Sequence, residues 1–100
     1  MTKSNFINEK CIVRGDRSGV FFGVVKNINE QTVEMENVRR IWYWEGAASL
    51  SQLAVEGTKK PQTCKFTMQV PHVIIFDVVE INQCSEQAIT SIDGVKEWKL

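Results

Sequence analysis

The chain has 100 residues, of which 43% are apolar and 24% charged, enough for one folded domain (residues 1–100) and too few for two. Twelve basic residues balance twelve acidic ones, so the formal net charge is zero. That balance argues against a duplex-binding protein, which needs a basic face, and it weakens repulsion between copies, leaving a homo-oligomer open.

Met1 to Lys10 is polar and lacks the apolar centre of a secretion signal, and no apolar run approaches the ~20 residues that span a bilayer. A cytoplasmic protein is therefore expected. Lys10 to Arg14 places Cys11 and Val13 among polar neighbours, as a strand does. Gly15-Asp16-Arg17-Ser18-Gly19 is a turn cluster. Val20 to Val25 reads as a strand interrupted by Gly23, which marks a bulge or sharp bend. Lys26 to Gln31 reads as a polar turn. Thr32 to Glu36 alternates, with Val33 and Met35 on one face, and Asn37 is expected to reverse the chain. Val38 to Trp44 follows as a separate strand, with Ile41 and Tyr43 on a core face and Arg40, Trp42 and Trp44 opposite.

A short helix is expected from Ser49. Ser49 and Gln52 have the spacing of a capping box, Leu50, Leu53 and Ala54 form one apolar stripe, and Gly57 ends it. Lys59, Lys60 and Pro61 lie in a basic loop. Lys65 to Val70 alternates, with Phe66, Met68 and Val70 sharing a face, and Pro71 breaks the run. Val73 to Ile81 is apolar on both faces, as a central strand would be. Ser85 can cap a second helix carrying Ala88, Ile89 and Ile92, stopped at Gly94. Trp98 is expected to pin the tail to the body.

The pattern predicts a mainly β protein of five or six short strands, with one inserted short helix and one short C-terminal helix. It resembles a small SH3-like or Sm-like barrel; an open α+β sheet with a helix on one face is the alternative.

Catalytic signatures are missing from the sequence. It contains no phosphate-cradling glycine motif, no paired zinc-ligand spacing and no nucleophile elbow. Cys11, Cys64 and Cys84 are odd in number and widely spaced, which fits reduced apolar side chains better than a disulfide framework or a zinc site with His72. Glu34 and Glu36 fit a solvated strand face. No catalytic residue, metal or cofactor is expected, and the protein is read as a binder.

The densest chemistry lies in Arg39-Arg40-Ile41-Trp42-Tyr43-Trp44, which holds two of the three tryptophans and the only tyrosine. Aromatic rings and guanidinium groups dominate binding hot spots, and together they can stack on a base and fork onto a phosphate. Two interpretations stand side by side: Trp42 and Trp44 cover one end of the core, or they form a binding surface. On the second, the site comprises Arg39, Arg40, Trp42, Tyr43 and Trp44, with Ser49 at a helix start and Lys59 and Lys60 on the rim.

The string from Arg39 through Trp42-Tyr43-Trp44-Glu45-Gly46-Ala47-Ala48-Ser49 to Ala54 resembles the hallmark of an uncharacterised family of small tailed-bacteriophage proteins. The similarity extends to Gly19–Gly23, Cys64–Thr67, Val73–Ile75 and on to Ala88. No activity comes with that resemblance. It implies a phage accessory factor in the host cytoplasm, acting in host takeover or counter-defence. Such a factor would sequester a nucleotide-like anionic signal or, alternatively, inhibit a host immune or nuclease complex. A single-stranded nucleic-acid binder is a further alternative.

Overall fold

The computed structural model describes residues 3–100, with side chains from Asn5 onward; of the polar N-terminal stretch, Met1 and Thr2 lie outside the described residues. After a 3-10 turn (Lys3–Phe6), three long strands follow: β1 (Lys10–Gly15), β2 (Val20–Asn29) and β3 (Thr32–Tyr43). Helix α1 (Leu50–Glu56) and a second 3-10 turn (Pro61–Thr63) lead to β4 (Lys65–Phe66), β5 (Val70–Ile75), β6 (Val78–Gln83) and helix α2 (Glu86–Asp93). All pairings within the six-stranded sheet are antiparallel, in the order β4-β3-β2-β1-β6, with β5 also on β3.

The protein is mainly β with two short helices, but the sheet does not close. β4 and β5 share one side of β3, β6 ends the other side, and no ladder joins them. The two ends of the curl meet only locally. The Val78 amide donates to the Gln31 carbonyl at 3.0 Å, and Asp77 ties the β5–β6 junction to the β1–β2 loop. The expected barrel is thus a curled, open sheet.

Both faces of the sheet are buried, because successive residues of a strand point to opposite sides. Ile12, Phe22, Ile41 and Phe66 pack with Leu53, Ala54, Ala88, Ile92 and Val95 beneath the helices. Their neighbours Cys11, Val13 and Phe21 belong to the second cluster, with Val25, Val33, Met35, Val38, Ile75 and Val78. Phe6 and Ile7 pack against that second cluster from the N-terminal segment. Each fully buried large apolar side chain contributes about 1.5–3 kcal/mol, so both clusters matter to a domain this small.

The expected strand break at Asn37 does not occur. β3 runs unbroken from Thr32 to Tyr43, and Asn37, at φ +54°, is the extra residue of a bulge opposite Gly23. A β-carbon on Gly23 would sit 3.0 Å from the carbonyl oxygens of Asn37 and Glu36 and 3.1 Å from the Val38 α-carbon, so glycine fits this close approach and a larger residue would require the facing backbone to give by a few tenths of an ångström. The bulge shifts the phase of the strand by one residue. Val33 and Met35 face the second cluster, as does Val38, and Arg39 and Ile41 therefore turn toward the helices.

Other boundaries differ from expectation for equally local reasons. The Lys26–Gln31 turn shrinks to Glu30 and Gln31, because β2 stays paired to Asn29. The Lys65–Val70 strand is only two residues long, and Met68 and Val70 are exposed rather than sharing a buried face with Phe66. Val73–Ile81 is two strands, broken at Phe76 and Asp77. The Asp77 carboxylate accepts from the amides of Arg17 and Ser18 and from the Ser18 hydroxyl, which bends the chain there.

Both helices start where the sequence places them. The hydroxyl of Ser49 accepts from the Gln52 amide at 3.1 Å, and that of Ser85 from the Ala88 amide at 3.0 Å. The Gln52 side chain reaches back to the Ala48 amide, one residue before the cap. The end of α1 meets the start of α2 through the Ser85 amide, which donates to the Ala54 carbonyl.

A candidate aromatic and basic binding site

The Arg39–Trp44 segment is the C-terminal half of β3, and the phase set by the bulge gives its residues separate fates. Arg39 is only 5% exposed. Its guanidinium donates to the carbonyls of Thr67 (2.9 Å), Ile92 (2.8 Å) and Phe66 (3.2 Å). Burial pulls this group down from its ordinary range, while Glu97 and Asp93 pull it back up. Arg39, expected as a ligand-binding group, is in the fold a clasp that joins β3, the segment after β4 and the end of α2.

Arg40 points to the opposite side. It lies over the Phe21 ring, 4.5 Å from the centroid, and donates to the Ser18 carbonyl. Trp44 is half-buried against the helix-side cluster, with its indole N–H donating to the Ala47 carbonyl. Ser49 spends its hydroxyl on the α1 cap. Arg39, Trp44 and Ser49 therefore have structural occupations that leave their polar groups satisfied within the chain.

Trp42 and Tyr43 do reach solvent. Trp42 is 59% exposed, and Tyr43, which the alternation assigns to a core face, is 42% exposed; it pairs with Lys65 of β4 just past a register shift that separates it from the Ile41–Phe66 pair. Trp98 stacks on Trp42, with ring centroids 5.1 Å apart and planes at 29°. Its backbone is fixed by its own amide, which donates to the Phe66 carbonyl, and by a bridge between Glu97 and Phe66. The ammonium of Lys65 lies 5.3 Å from the Trp42 ring centre, 5.4 Å from that of Trp98 and 5.9 Å from that of Tyr43. The Tyr43 phenol is pushed up by desolvation and by nearby Glu45, so it stays a neutral donor.

Beside Trp98 runs a groove of about 540 Å³, lined by Pro61, Gln62, Cys64, Gly94, Lys96 and Lys99 among others. Lys60 immediately precedes Pro61 at this rim. The Lys59 amide donates to the Gly46 carbonyl, which holds the basic loop against the Glu45–Gly46 turn after β3. Among the described residues, Lys59, Lys60, Lys65 and Lys96 have no carboxylate partner, whereas Lys99 lies 3.4 Å from Glu97. Glu97 also lines the groove, so the lysines without a carboxylate partner beside the two stacked, exposed indoles are Lys96 in the groove and Lys65 on the rings.

The site therefore gathers Trp42, Tyr43 and the Lys59–Lys60 loop, and adds Lys65, Lys96 and Trp98. Trp98 was legible only as a tail anchor. The signal for more was a tryptophan set among Lys96 and Lys99, far too polar a setting for a core residue.

The remaining reactive side chains are arranged otherwise. Burial pushes the Cys11 thiol up to about 12 and that of Cys84 up to about 11, so both stay protonated. His72 pairs with Glu34 at 2.6 Å on the exposed side of the sheet. Among the described residues no cluster of histidine, cysteine and carboxylate side chains is placed to hold a metal ion, and no helix is long and apolar enough to cross a membrane.

No curated protein and no solved structure matches the chain. One family model does match, over residues 8–92. It takes in the whole Arg39–Ala54 string, with Trp42 and Lys65, and stops before Trp98. Through that match over most of its length, the chain belongs to the family described as Domain of unknown function (DUF6948).

Proposed function

We propose that this protein is a non-catalytic binder of a nucleotide-like anion, held at the groove beside Trp98. One observation carries this reading: the exposed Trp42–Trp98 pair with the Lys65 ammonium against both rings. Stacking a base on an indole is worth about 1–3 kcal/mol and tolerates any base, because every base has a π-face. Lys65 on the rings and Lys96 in the groove supply the positive charge that a phosphate attached to that base needs. Together with the resemblance to phage proteins, this supports a sequestering, counter-defence role in a host cytoplasm.

The test is a thermal-shift and tryptophan-fluorescence screen against cyclic and linear nucleotides. A nucleotide at a hundred times its dissociation constant stabilises the fold by about 2.7 kcal/mol. For a domain of this size each kcal/mol moves the melting temperature by about 4–8 °C. Trp98→Ala and Lys65→Ala should abolish the shift without unfolding the protein, since both side chains lie on the surface. If no nucleotide shifts the melting temperature or quenches the indoles, the proposal is wrong.

A further inference from the structure

A second cleft, of about 400 Å³, opens where the curled sheet fails to close. Phe21 and Arg40 line it from β2 and β3, Ile74 and Phe76 from the end of β5, and Arg17 and Asp77 from the two connecting loops. None of these residues lines the groove beside Trp98.

Its apolar wall is unusually open for a small protein: Phe76 is 72% exposed and Ile74 44%. Its charge is not balanced. The Arg40 guanidinium lies over Phe21, 4.5 Å from the ring centre, and its side chain uses only one recorded N–H, toward the Ser18 carbonyl. A guanidinium has five N–H groups, so its outer edge is free to fork onto a carboxylate. Arg17 is bonded through its backbone amide alone, and neither arginine has a carboxylate partner among the described residues. Asp77, the one acidic group present, already accepts from three donors of the β1–β2 loop.

We propose that this cleft docks an acidic segment of a partner protein, in which an apolar side chain stands beside a carboxylate. The apolar side chain covers Phe76 and Ile74, and the carboxylate takes the free edges of Arg40 and Arg17. Charge selects an acidic occupant, and openness selects a protein. Ile74 and Phe76, at 44% and 72% exposed, offer the kind of open apolar area that a protein segment covers. A phenylalanine beside a preorganised arginine is the composition of an interface hot spot.

The experiment is fluorescence anisotropy of the full chain with a fluorescein-labelled hexapeptide of alternating leucine and aspartate, and with its leucine–asparagine counterpart. Saturable binding of the acidic peptide is expected, weaker by about tenfold or more for Phe76→Ser and for Arg17→Gln, and equally weakened when asparagine replaces aspartate. Arg40→Gln should act in the same direction. Phe76→Ser and Arg17→Gln change exposed side chains, so their effect is read on a folded protein. Trp98→Ala should leave the affinity unchanged. Absence of saturable binding, equal binding of the neutral peptide, or indifference to Phe76→Ser and Arg17→Gln would overturn the proposal.

Discussion

Replacing Arg39 by methionine tests whether the buried guanidinium is a structural clasp. Methionine fills a similar volume but returns none of the three hydrogen bonds to Thr67, Phe66 and Ile92. The loss is not three full orphans. The Phe66 carbonyl keeps the Trp98 amide, and the Ile92 carbonyl keeps that of Val95. Only the Thr67 carbonyl loses its recorded donor. Bonds from a charged donor are worth about 1.5–3 kcal/mol each, and the desolvation cost of the arginine, recovered on substitution, offsets part of their sum. A net loss of about 3 kcal/mol follows, a large share of the ~5–15 kcal/mol that stabilises such a domain. At about 4–8 °C per kcal/mol the melting temperature should fall by roughly 12–24 °C. Arg40→Met, one residue along but solvent-exposed, should cost no more than about 1 kcal/mol. Urea denaturation followed by circular dichroism measures both. Equal losses for the two variants, or a loss under about 0.5 kcal/mol for Arg39→Met, would refute the assignment.

Gly23→Val should destabilise the sheet by about 1–3 kcal/mol, because its side chain would press on the paired backbone of Asn37, Glu36 and Val38, which would have to shift to admit it. An unchanged urea midpoint would show that the bulge is not needed. Acid should weaken the fold through Asp77 and Glu80. Asp77 is held below the usual carboxylate range by the Ser18 hydroxyl and the Arg17 amide, Glu80 by Arg14 and Asn82. A carboxylate lowered in the folded state binds fewer protons there than in the unfolded chain. Its contribution is therefore complete above the unfolded value, near pH ~4, and is lost as pH falls through the folded value. The melting-temperature gap between the unsubstituted protein and Asp77→Asn should accordingly narrow on acidification; a gap independent of pH would exclude the charge as its source.

The features legible in the sequence are those whose chemistry is local. Ser49 and Ser85 cap the helices that follow them because a cap is a hydrogen bond reaching three residues along the chain. The mainly β class, the Gly15–Gly19 turn and the special status of Gly23 are likewise visible in neighbouring residues. The clustering of aromatic and basic residues around Trp42 is visible in the same way.

What only the tertiary structure decided depends on contacts between distant residues. Whether Asn37 reverses the chain or bulges depends on Gly23 lying opposite it, a matter of strand register. That one-residue slip in turn decides which arginine is buried and which is free, although Arg39 and Arg40 are the same residue type and adjacent. Trp98 joins the site only because its backbone pairs with Phe66, which itself pairs with Ile41. The contact between the ends of the open sheet is equally non-local: the Asp77 carboxylate accepts from the Ser18 hydroxyl, 59 positions away. Composition and periodicity determine which segments are strands and helices, since those follow from local hydrogen bonding and apolar spacing; register and burial decide the site, because they are properties of pairs that meet only in the fold.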